Sequence, residues 1–497
     1  MNRNVVLVFI GLMLAMLAGS LEQTIVATAL PTIVGDLGGV DRMLWVTTAY
    51  VLTATIVMPI YGKLGDLIGR KWIFVGALVL FTVGSVVCGI SFDMTQMIAG
   101  RAVQGLGGGG LMVLSQAIVA DVIPARKRPL YMNIMGIAWA VPMLAGPLLG
   151  GLFTDYLSWH WAFLITVPLS AISIVAAVAF LPNPKKRASL SSFDVRGTVL
   201  VSAAVCTLTL ATSLGGVDYA WDSPQIIGLF AATAVLVVLF VLAERRAIQP
   251  IIPLALFRNR NFVLTTLAGL VTLFALMASM SYLPMYFQIA HGMSATAAGY
   301  MEVPMSIANL VASLLAGFLI ARNGKYKTIM VTSFAIATAG GIAMTMLNAG
   351  MPPAFAVASL CIVGFGIGMS FQVLVLIVQN EFPASIVGTA TSATNLFREI
   401  GTTLGSSIAG ALFTGNLTRL MAERLAPFGG GEALGIDPNA ITPAVVNALP
   451  GDVHAAIAGA YNDALLPVFF VMVPLLAAGI VLMAFLKNTP LKETVEG

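Results

Sequence analysis

The stretch Gly62–Lys71 reads GKLGDLIGRK and joins two long apolar runs. A second stretch, GFLIARNGKYK at Gly317–Lys327, joins two other apolar runs and is offset from the first by 255 residues. Both are glycine-rich turns that end in basic residues. Two helical bundles that descend from one unit, and are related by an axis along the membrane normal, leave this kind of internal repeat. The pair of turns therefore predicts a protein built from two related halves.

The sequence around these turns is strongly apolar. Of its 497 residues, 59% are hydrophobic and 9% are charged, and the mean hydropathy is +0.96. A soluble domain does not have this composition. Fourteen apolar runs are long enough to cross a bilayer as helices; they centre near residues 17, 53, 82, 108, 142, 171, 205, 233, 273, 308, 338, 365, 405 and 475. We predict an all-α integral membrane protein with two six-helix bundles plus two additional transmembrane helices.

The predicted domains follow from the spacing of these runs. Residues 1–182 form the first bundle, 183–260 a linker with the two extra helices, and 261–497 the second bundle with a long outer loop at 416–463. Polar, proline-containing segments bracket the extra pair, which suits a hinge between two halves. The outer loop is either a solvated connector or a segment with a specific role.

Basic residues predict the orientation. With the N-terminus in the cytoplasm, 21 of the 25 Lys and Arg residues fall on the cytoplasmic side. Only Arg42, Arg419 and Arg424 lie outside, and Arg101 lies within a span. The positive-inside rule therefore places both termini in the cytoplasm of a multi-pass plasma-membrane protein, which we expect to be bacterial and monomeric. The apolar N-terminus lacks a small-residue cleavage site and is interpreted as a retained first span.

Several classes of site have no support in the sequence. The three cysteines, Cys88, Cys206 and Cys361, all fall within apolar runs, so neither disulfides nor a metal site are expected. The chain contains no P-loop, so ATP is not the expected energy source unless a partner supplies it. We expect no cofactor and no enzymatic activity. The net charge of +4 is small, and nucleic acid is not an expected partner.

Glu22 is an acidic residue inside the first apolar run, in LEQTIVATALP at Leu21–Pro31. A carboxylate in hydrocarbon costs several kcal/mol unless it finds water, a partner or a proton, so Glu22 is interpreted as functional. The alternative is a carboxyl that stays neutral or paired and only locks helices together. Arg101 and Gln104 share a helix face in the fourth run, at a depth close to that of Glu22. Arg101 either finds a partner there or extends to the outer headgroups.

Four stretches together resemble the fourteen-span drug:proton antiporters of the major facilitator superfamily, the QacA/EmrB-like group. LEQTIVATALP resembles the first-span signature, with Glu22 where Asp is usual, and IAGRAVQGLGGGG (Ile98–Gly110) resembles the fourth-span pattern. The resemblance implies that Glu22, Arg101 and Gln104 couple transport to protons. GKLGDLIGRK matches the superfamily's loop between spans two and three at Gly62, Leu64, Asp66, Gly69, Arg70 and Lys71.

This loop is interpreted as a conformational latch made by Gly62, Asp66, Gly69, Arg70 and Lys71. Glycines permit tight turns, and the charged side chains can make bonds to neighbouring helix ends in one conformation and break them in another. The alternative is that Asp66 and Arg70 are only topological charges.

The fourth of these stretches, and one more in the second half of the chain, extend the resemblance. AGPLLGGLF (Ala145–Phe153) resembles the fifth-span motif that marks exporters, although Pro142 replaces an upstream glycine. Its Gly146, Pro147, Gly150 and Gly151 predict either a bend where the halves rock or simply close helix packing. GTATSATNLFREIGTTLG (Gly388–Gly405) also resembles the group, and we expect its Arg398 and Glu399 to form a local ion pair.

We therefore expect proton-driven export of lipophilic or cationic small molecules by alternating access. The rival functions are export of an endogenous lipid or amphiphile, and a non-transporting membrane receptor on the same fold. Methionine-rich walls adapt to many ligand shapes, which makes Tyr282, Met285 and Tyr286 candidate substrate contacts; the alternative is that they are core or lipid-facing residues. Glu302 opens the tenth span two residues before Pro304 and is a candidate acid for cationic substrates, or else a hydrated and idle side chain.

Overall fold

The computed structural model describes residues 3–39, 42–124, 127–182, 193–428, 446 and 449–491. Within these ranges the regular structure is helical, and the β-structure consists of two isolated bridges, Phe193 with Gln249 and Gly215 with Tyr219. A chain in hydrocarbon must satisfy its backbone hydrogen bonds internally, which apolar helices do. The predicted all-α class is confirmed.

The first bundle contains eight helical segments that make six spans. Spans five and six are each built from two segments, which meet at Gly136 and at Ile165. The segments are α1 (Arg3–Leu37), α2 (Met43–Ile68), α3 (Arg70–Gly89), α4 (Met94–Val122), α5 (Arg128–Met135), α6 (Ile137–Tyr156), α7 (Trp161–Leu164) and α8 (Thr166–Phe180).

The inserted pair consists of α9 (Val195–Leu214) and α10 (Pro224–Glu244). The Asp194 side chain caps α9 by accepting the Gly197 N–H at 2.8 Å. α9 packs against α2 of the first bundle and against α18 (Val387–Leu425) of the second, whereas α10 packs on α9. The inserted pair is therefore attached at the side where α2 and α18 meet.

The second bundle contains the remaining segments. They are α11 (Arg260–Met280), α12 (Leu283–Ala290), α13 (Ala295–Tyr300), α14 (Val303–Asn323), α15 (Lys327–Thr345), α16 (Pro353–Phe371), α17 (Val373–Glu381), α18 and α19 (Gly451–Ala484). The predicted outer loop at 416–463 is too long. α18 continues to Leu425 and α19 begins at Gly451, because Leu417, Met421 and Leu425 form a buried stripe on the extended helix. Residues 429–445, in the centre of that loop, lie outside the described residues.

The described residues include thirteen helical stretches that are long and apolar enough to cross a membrane, and some of them consist of two consecutive segments. α18 does not reach the same hydropathy, because polar residues fill its first half. It nevertheless lies within the helical packing, in contact with α2, α11 and α19. With α18 included, the helices agree with the fourteen predicted spans.

Each of the repeated turns contains a glycine with positive φ. Gly69 joins α2 to α3 with φ of 95°, and Gly324 joins α14 to α15 with φ of 66°. Residues with a side chain rarely adopt positive φ, so both turns favour glycine. We call the end of the molecule that holds Gly69, Arg128 and Gly324 the basic end.

Candidate functional site

A cavity of about 300 Å³ lies between the two bundles. Its wall comes from α1, α2, α4 and α6 of the first bundle and from α11, α14, α16 and α18 of the second. Most of the wall is apolar, with a few polar groups, as is usual for a small-molecule site. Methionines are prominent in it: Met16, Met58, Met112, Met143, Met277, Met280 and Met305.

The aromatic residues predicted to contact substrate do not line this cavity. Tyr282 stacks on Phe413 with ring centroids 4.4 Å apart, and Tyr286 is 1% exposed and donates its hydroxyl to the Asn348 carbonyl at 3.5 Å. Met285 packs against the same core of the second bundle. Tyr282, Met285 and Tyr286 lie away from this cavity because the helix breaks after Met280 and the next segment, α12, packs against α19. Their contact with substrate stays a prediction.

Glu302 also lies outside the cavity wall. It occupies the break between α13 and α14, where its side chain is half-buried. Its Oε1 atom is buried and has no hydrogen-bond partner among the described residues. The structure therefore gives Glu302 no direct place in the cavity, although it leaves a carboxylate oxygen unsatisfied.

Glu22 and Arg101 form an ion pair in the interior of the first bundle. Glu22 is 0% exposed and Arg101 is 1% exposed, so Arg101 does not extend to the headgroups. Arg101 also donates Nε–H to the Val46 carbonyl at 2.9 Å and an Nη1–H to the Gln104 amide oxygen at 2.8 Å. Its guanidinium carbon lies 4.4 Å from the centre of the Tyr50 ring.

The glycines of α4 explain how these residues meet. A Cβ atom added to Gly105 would overlap Tyr50 and Thr53 of α2, and one added to Gly107 would overlap main-chain atoms of α3. Small residues let membrane helices approach this closely. The glycine-rich sequence after Arg101 therefore draws α2 and α3 onto α4, which buries the guanidinium.

The ion pair lies next to the cavity but not in it. Gln23 and Tyr50 line the cavity, whereas Glu22 and Arg101 do not. Tyr50 has the cavity on one side and the Arg101 guanidinium over its ring. The Glu22 Oε2 atom is buried without a hydrogen-bond partner among the described residues. One layer of side chains thus separates a carboxylate with an unused oxygen from the cavity.

Asp66 joins the two bundles at the basic end. It accepts the Gly388 N–H at 3.1 Å, the Thr389 N–H at 2.6 Å and the Thr389 hydroxyl at 2.8 Å. Gly388 and Thr389 lie in the first turn of α18, where free backbone N–H groups favour an anion. Arg70 donates to Asp66 at 2.7 Å and forms an ion pair with Asp121 at 2.6 Å.

The other residues of this turn support the same contact. A Cβ atom on Gly62 would overlap Ser392 of α18, so Gly62 allows α2 and α18 to touch. Lys71 donates Nζ–H to the Leu181 carbonyl at 2.8 Å and so fixes the turn to the end of α8. The five residues predicted as a latch are therefore placed around one contact between the halves.

Neutral side chains add further bonds between the halves. Asn395 donates to the Gln116 side-chain oxygen at 2.8 Å, and Gln379 donates to the Gln116 carbonyl at 3.0 Å. The Ser313 hydroxyl donates to the Asn133 side-chain oxygen at 2.8 Å. Together with Asp66, these bonds hold the bundles together at the basic end.

Two glycines of the AGPLLGGLF stretch face α1. A Cβ atom on Gly146 would overlap Thr24, and one on Gly150 would lie 2.9 Å from the Thr28 Cβ. Pro147 is exposed, and a Cβ on Gly151 would meet nothing within 4 Å. Gly146 and Gly150 therefore pack α6 closely against the helix that carries Glu22.

Arg398 and Glu399 were expected to form a local ion pair, and they interact electrostatically without direct contact between their charged groups. They make no ion pair in the part of the chain that the structure describes, because consecutive helix positions point about 100° apart. Both line the cavity instead. Sequence reasoning missed them as cavity residues, although two charges inside an apolar span were a signal for it.

The family model for the Major Facilitator Superfamily matches residues 8–406. The chain belongs to the major facilitator superfamily. It is a multi-pass membrane transporter and not an enzyme, and the helical packing described above is the fold of that superfamily.

Several curated relatives are similar over most of the chain. An uncharacterised transporter of the superfamily from Mycobacterium tuberculosis is 39% identical over 495 residues, which cover 99% of this chain and 70% of the relative. The multidrug transporter protein MdtP of Bacillus subtilis is 35% identical, covering 85% of this chain and 78% of the relative. Multidrug resistance protein 3 of the same organism is 32% identical, covering 98% and 96%.

Solved structures agree with the fold. The proton:xylose symporter XylE superposes with a TM-score of 0.64 at 14% identity, covering 99% of both chains. The human organic anion transporter MFSD10 gives a TM-score of 0.63 at 16% identity, covering 97% of this chain and 99% of the other. These likenesses extend to the fold alone.

Proposed function

We propose that this transporter is a proton-coupled antiporter that exports hydrophobic and cationic compounds by alternating access. The observation that carries the proposal is the buried Glu22–Arg101 pair, one side-chain layer from a cavity large enough for a small molecule. The multidrug transporters among the relatives support the substrate class.

The surroundings of Arg101 suit a carboxylate that gains and loses a proton. Protonation of Glu22 would remove the counterion of a buried arginine, which is usually costly. Arg101 keeps two neutral acceptors in that state, the Val46 carbonyl and the Gln104 amide, and the Tyr50 ring. These contacts stabilise Arg101 while Glu22 is protonated. Because Arg101 then lacks its ion pair, its side chain would rearrange around Tyr50, which borders the cavity.

The bonds at the basic end supply the second part of the proposal. The sequence places the basic end in the cytoplasm, so the bonds that Asp66 and Gln116 make would close the cavity on that side. Export requires this closure to alternate with an open state in which those bonds are broken. Asp66 at the first turn of α18 favours the closed state without burying an uncompensated charge.

The cavity wall suits lipophilic cations. Glu399 is a carboxylate in the wall, and the methionines around it are flexible and polarisable. A cationic aromatic compound can therefore leave water for an apolar surface while it keeps a counterion.

The test uses the purified protein in liposomes with an acidic lumen. The probe is a fluorescent cation added outside, the methyl ester of the rhodamine that carries two primary amino groups. An antiporter accumulates the dye inside against its gradient while protons leave, which a lumenal pH indicator records. Dye movement that only follows its own gradient would contradict the proposal. Glu423→Gln is the matched control for the variant Glu22→Gln in this assay. Glu423 is 57% exposed and pairs with Arg419, and neither residue lines the cavity.

A further inference from the structure

Arg398 is a second buried arginine, and it lies in the cavity wall. It is 2% exposed. Its aliphatic stem packs against Gly269 of α11, where an added Cβ atom would lie 3.0 Å from the Arg398 Cγ. Its guanidinium carbon lies 4.0 Å from the centre of the Phe371 ring. The helix packing therefore holds this side chain in one place at the edge of the cavity.

The guanidinium has few of the bonds it can make. It carries five N–H donors in a planar fork. One Nη1–H donates to the Asn395 side-chain oxygen at 3.3 Å, while Nε is buried and has no partner among the described residues. Asn395 is neutral, and Glu399 interacts with Arg398 electrostatically without forming an ion pair within 4 Å. A buried charge without an ion pair is costly, and an anionic ligand would remove that cost.

Glu399 presents the opposite charge one position further along the same helix wall. It lines the cavity, and its carboxylate accepts no hydrogen bond from the described residues. Because the two side chains point in different directions, they interact electrostatically but form no direct ion pair, and the wall presents an anion and a cation a short distance apart. A ligand with one charge of each sign would satisfy both.

We propose that Arg398 and Glu399 form a subsite for zwitterionic amphiphiles. This proposal rests on the proposed function and names a substrate class for the same cavity. The carboxylate or sulfonate of the ligand binds guanidinium N–H groups of Arg398 that have no partner among the described residues, while the Phe371 ring stays over one face of the guanidinium. The ligand's cationic nitrogen lies near Glu399, and its aromatic body packs against the methionines of the cavity wall.

A purely structural role for Arg398 makes a different prediction. If Arg398 only orders α18 or positions Glu399, its loss affects all cavity ligands in the same way. If it binds an anionic group, its loss affects only ligands that carry one. A pair of ligands that differ in a single charge separates the two roles.

Two forms of one rhodamine provide that pair. The form with a free carboxyl group is a zwitterion, and its methyl ester is a cation of nearly the same size. Binding of each to the purified full-length protein in lipid nanodiscs is measured by fluorescence anisotropy, without a proton gradient. We expect Arg398→Gln to weaken binding of the free acid by about tenfold or more, the usual effect of losing a charge-assisted hydrogen bond. We expect binding of the ester to weaken by less than about twofold.

The variant Arg398→Lys keeps the charge but not the planar fork. Its affinity for the free acid should therefore lie between that of the wild type and that of Arg398→Gln. Arg260→Gln is the matched control. Arg260 lies in the second bundle with its guanidinium carbon 5.5 Å from the Phe485 ring centre, but outside the cavity wall. An unchanged ratio of acid to ester affinity in both Arg398 variants overturns the proposal, as does an equal loss of both ligands.

The outcome is separable from that of the proposed function. If the wild type exports the ester in exchange for protons but the ratio of acid to ester affinity does not change in the Arg398 variants, only the zwitterion subsite is contradicted. If the ratio of affinities changes in the Arg398 variants but no protons are exchanged for the ester, the subsite is supported and proton antiport is contradicted.

Discussion

The two bundles bury one arginine each beside the same cavity, and the two arginines have opposite surroundings. Arg101 is 1% exposed and donates to Glu22, Val46 and Gln104. Arg398 is 2% exposed and has one amide partner and one aromatic ring. Equal burial therefore does not imply an equal role. A guanidinium that is ion-paired with a carboxylate suits an internal switch, whereas one without a direct ion pair suits an external ligand.

The largest effect should come from removing the ion-paired carboxylate that Arg101 has and Arg398 lacks. We expect Glu22→Gln to abolish uphill export in liposomes, because glutamine cannot exchange a proton. The protein should still fold with a stability loss of about 3 kcal/mol, since Arg101 loses its counterion but keeps its neutral acceptors. Gradient-driven export at the wild-type rate would contradict the role of Glu22.

Lysine at each arginine position sharpens the comparison directly. Arg101→Lys should reduce proton-coupled export of the rhodamine ester by about tenfold, since one ammonium group cannot reach three acceptors in different directions. Arg398→Lys should leave this export within about twofold of the wild-type rate, because the ester carries no anionic group for Arg398 to bind. Export rates at equal protein content give the ratio, and equal losses would remove the distinction between the two arginines.

The contact that joins the halves should have a moderate effect. We expect Asp66→Asn to lower the turnover rate by about fivefold without changing equilibrium affinity, because the charged bonds to the first turn of α18 help the closed state to form. Transport rates and ligand binding in nanodiscs measure the two quantities separately. A weaker affinity at unchanged turnover would show that Asp66 does not act as a latch.

The smallest effect should come from Glu302, the acid that the structure places away from the cavity. We expect Glu302→Gln to reduce transport of monovalent and divalent cations by about twofold and to leave a neutral substrate unchanged, since its charge acts only over a distance. Transport of one substrate from each class tests this. Equal rates for all three classes would leave Glu302 without a role in selectivity.

The sequence by itself determined the class, the repeat and the need for a partner at Arg101. Long apolar runs predict spanning helices because hydrocarbon leaves the backbone no other partner. The two glycine-rich turns, 255 residues apart, indicated the duplication, and the structure then showed positive φ at both Gly69 and Gly324. A charge in hydrocarbon must be compensated, so Glu22 and Arg101 at similar depth were a reasonable pair before their contact was seen.

Only the tertiary structure decided which residues face the cavity and which contacts join the halves. Met277 and Met280 line the cavity while Met285 and Tyr286 do not, because α11 ends at Met280 and the chain turns into another packing layer. Hydropathy is a local property and is the same for an apolar residue in a core, in a cavity wall or in contact with lipid. Asp66 and Thr389 meet across 323 positions of sequence, and Arg398 forms no direct ion pair with Glu399, because helix packing and helix phase determine these distances.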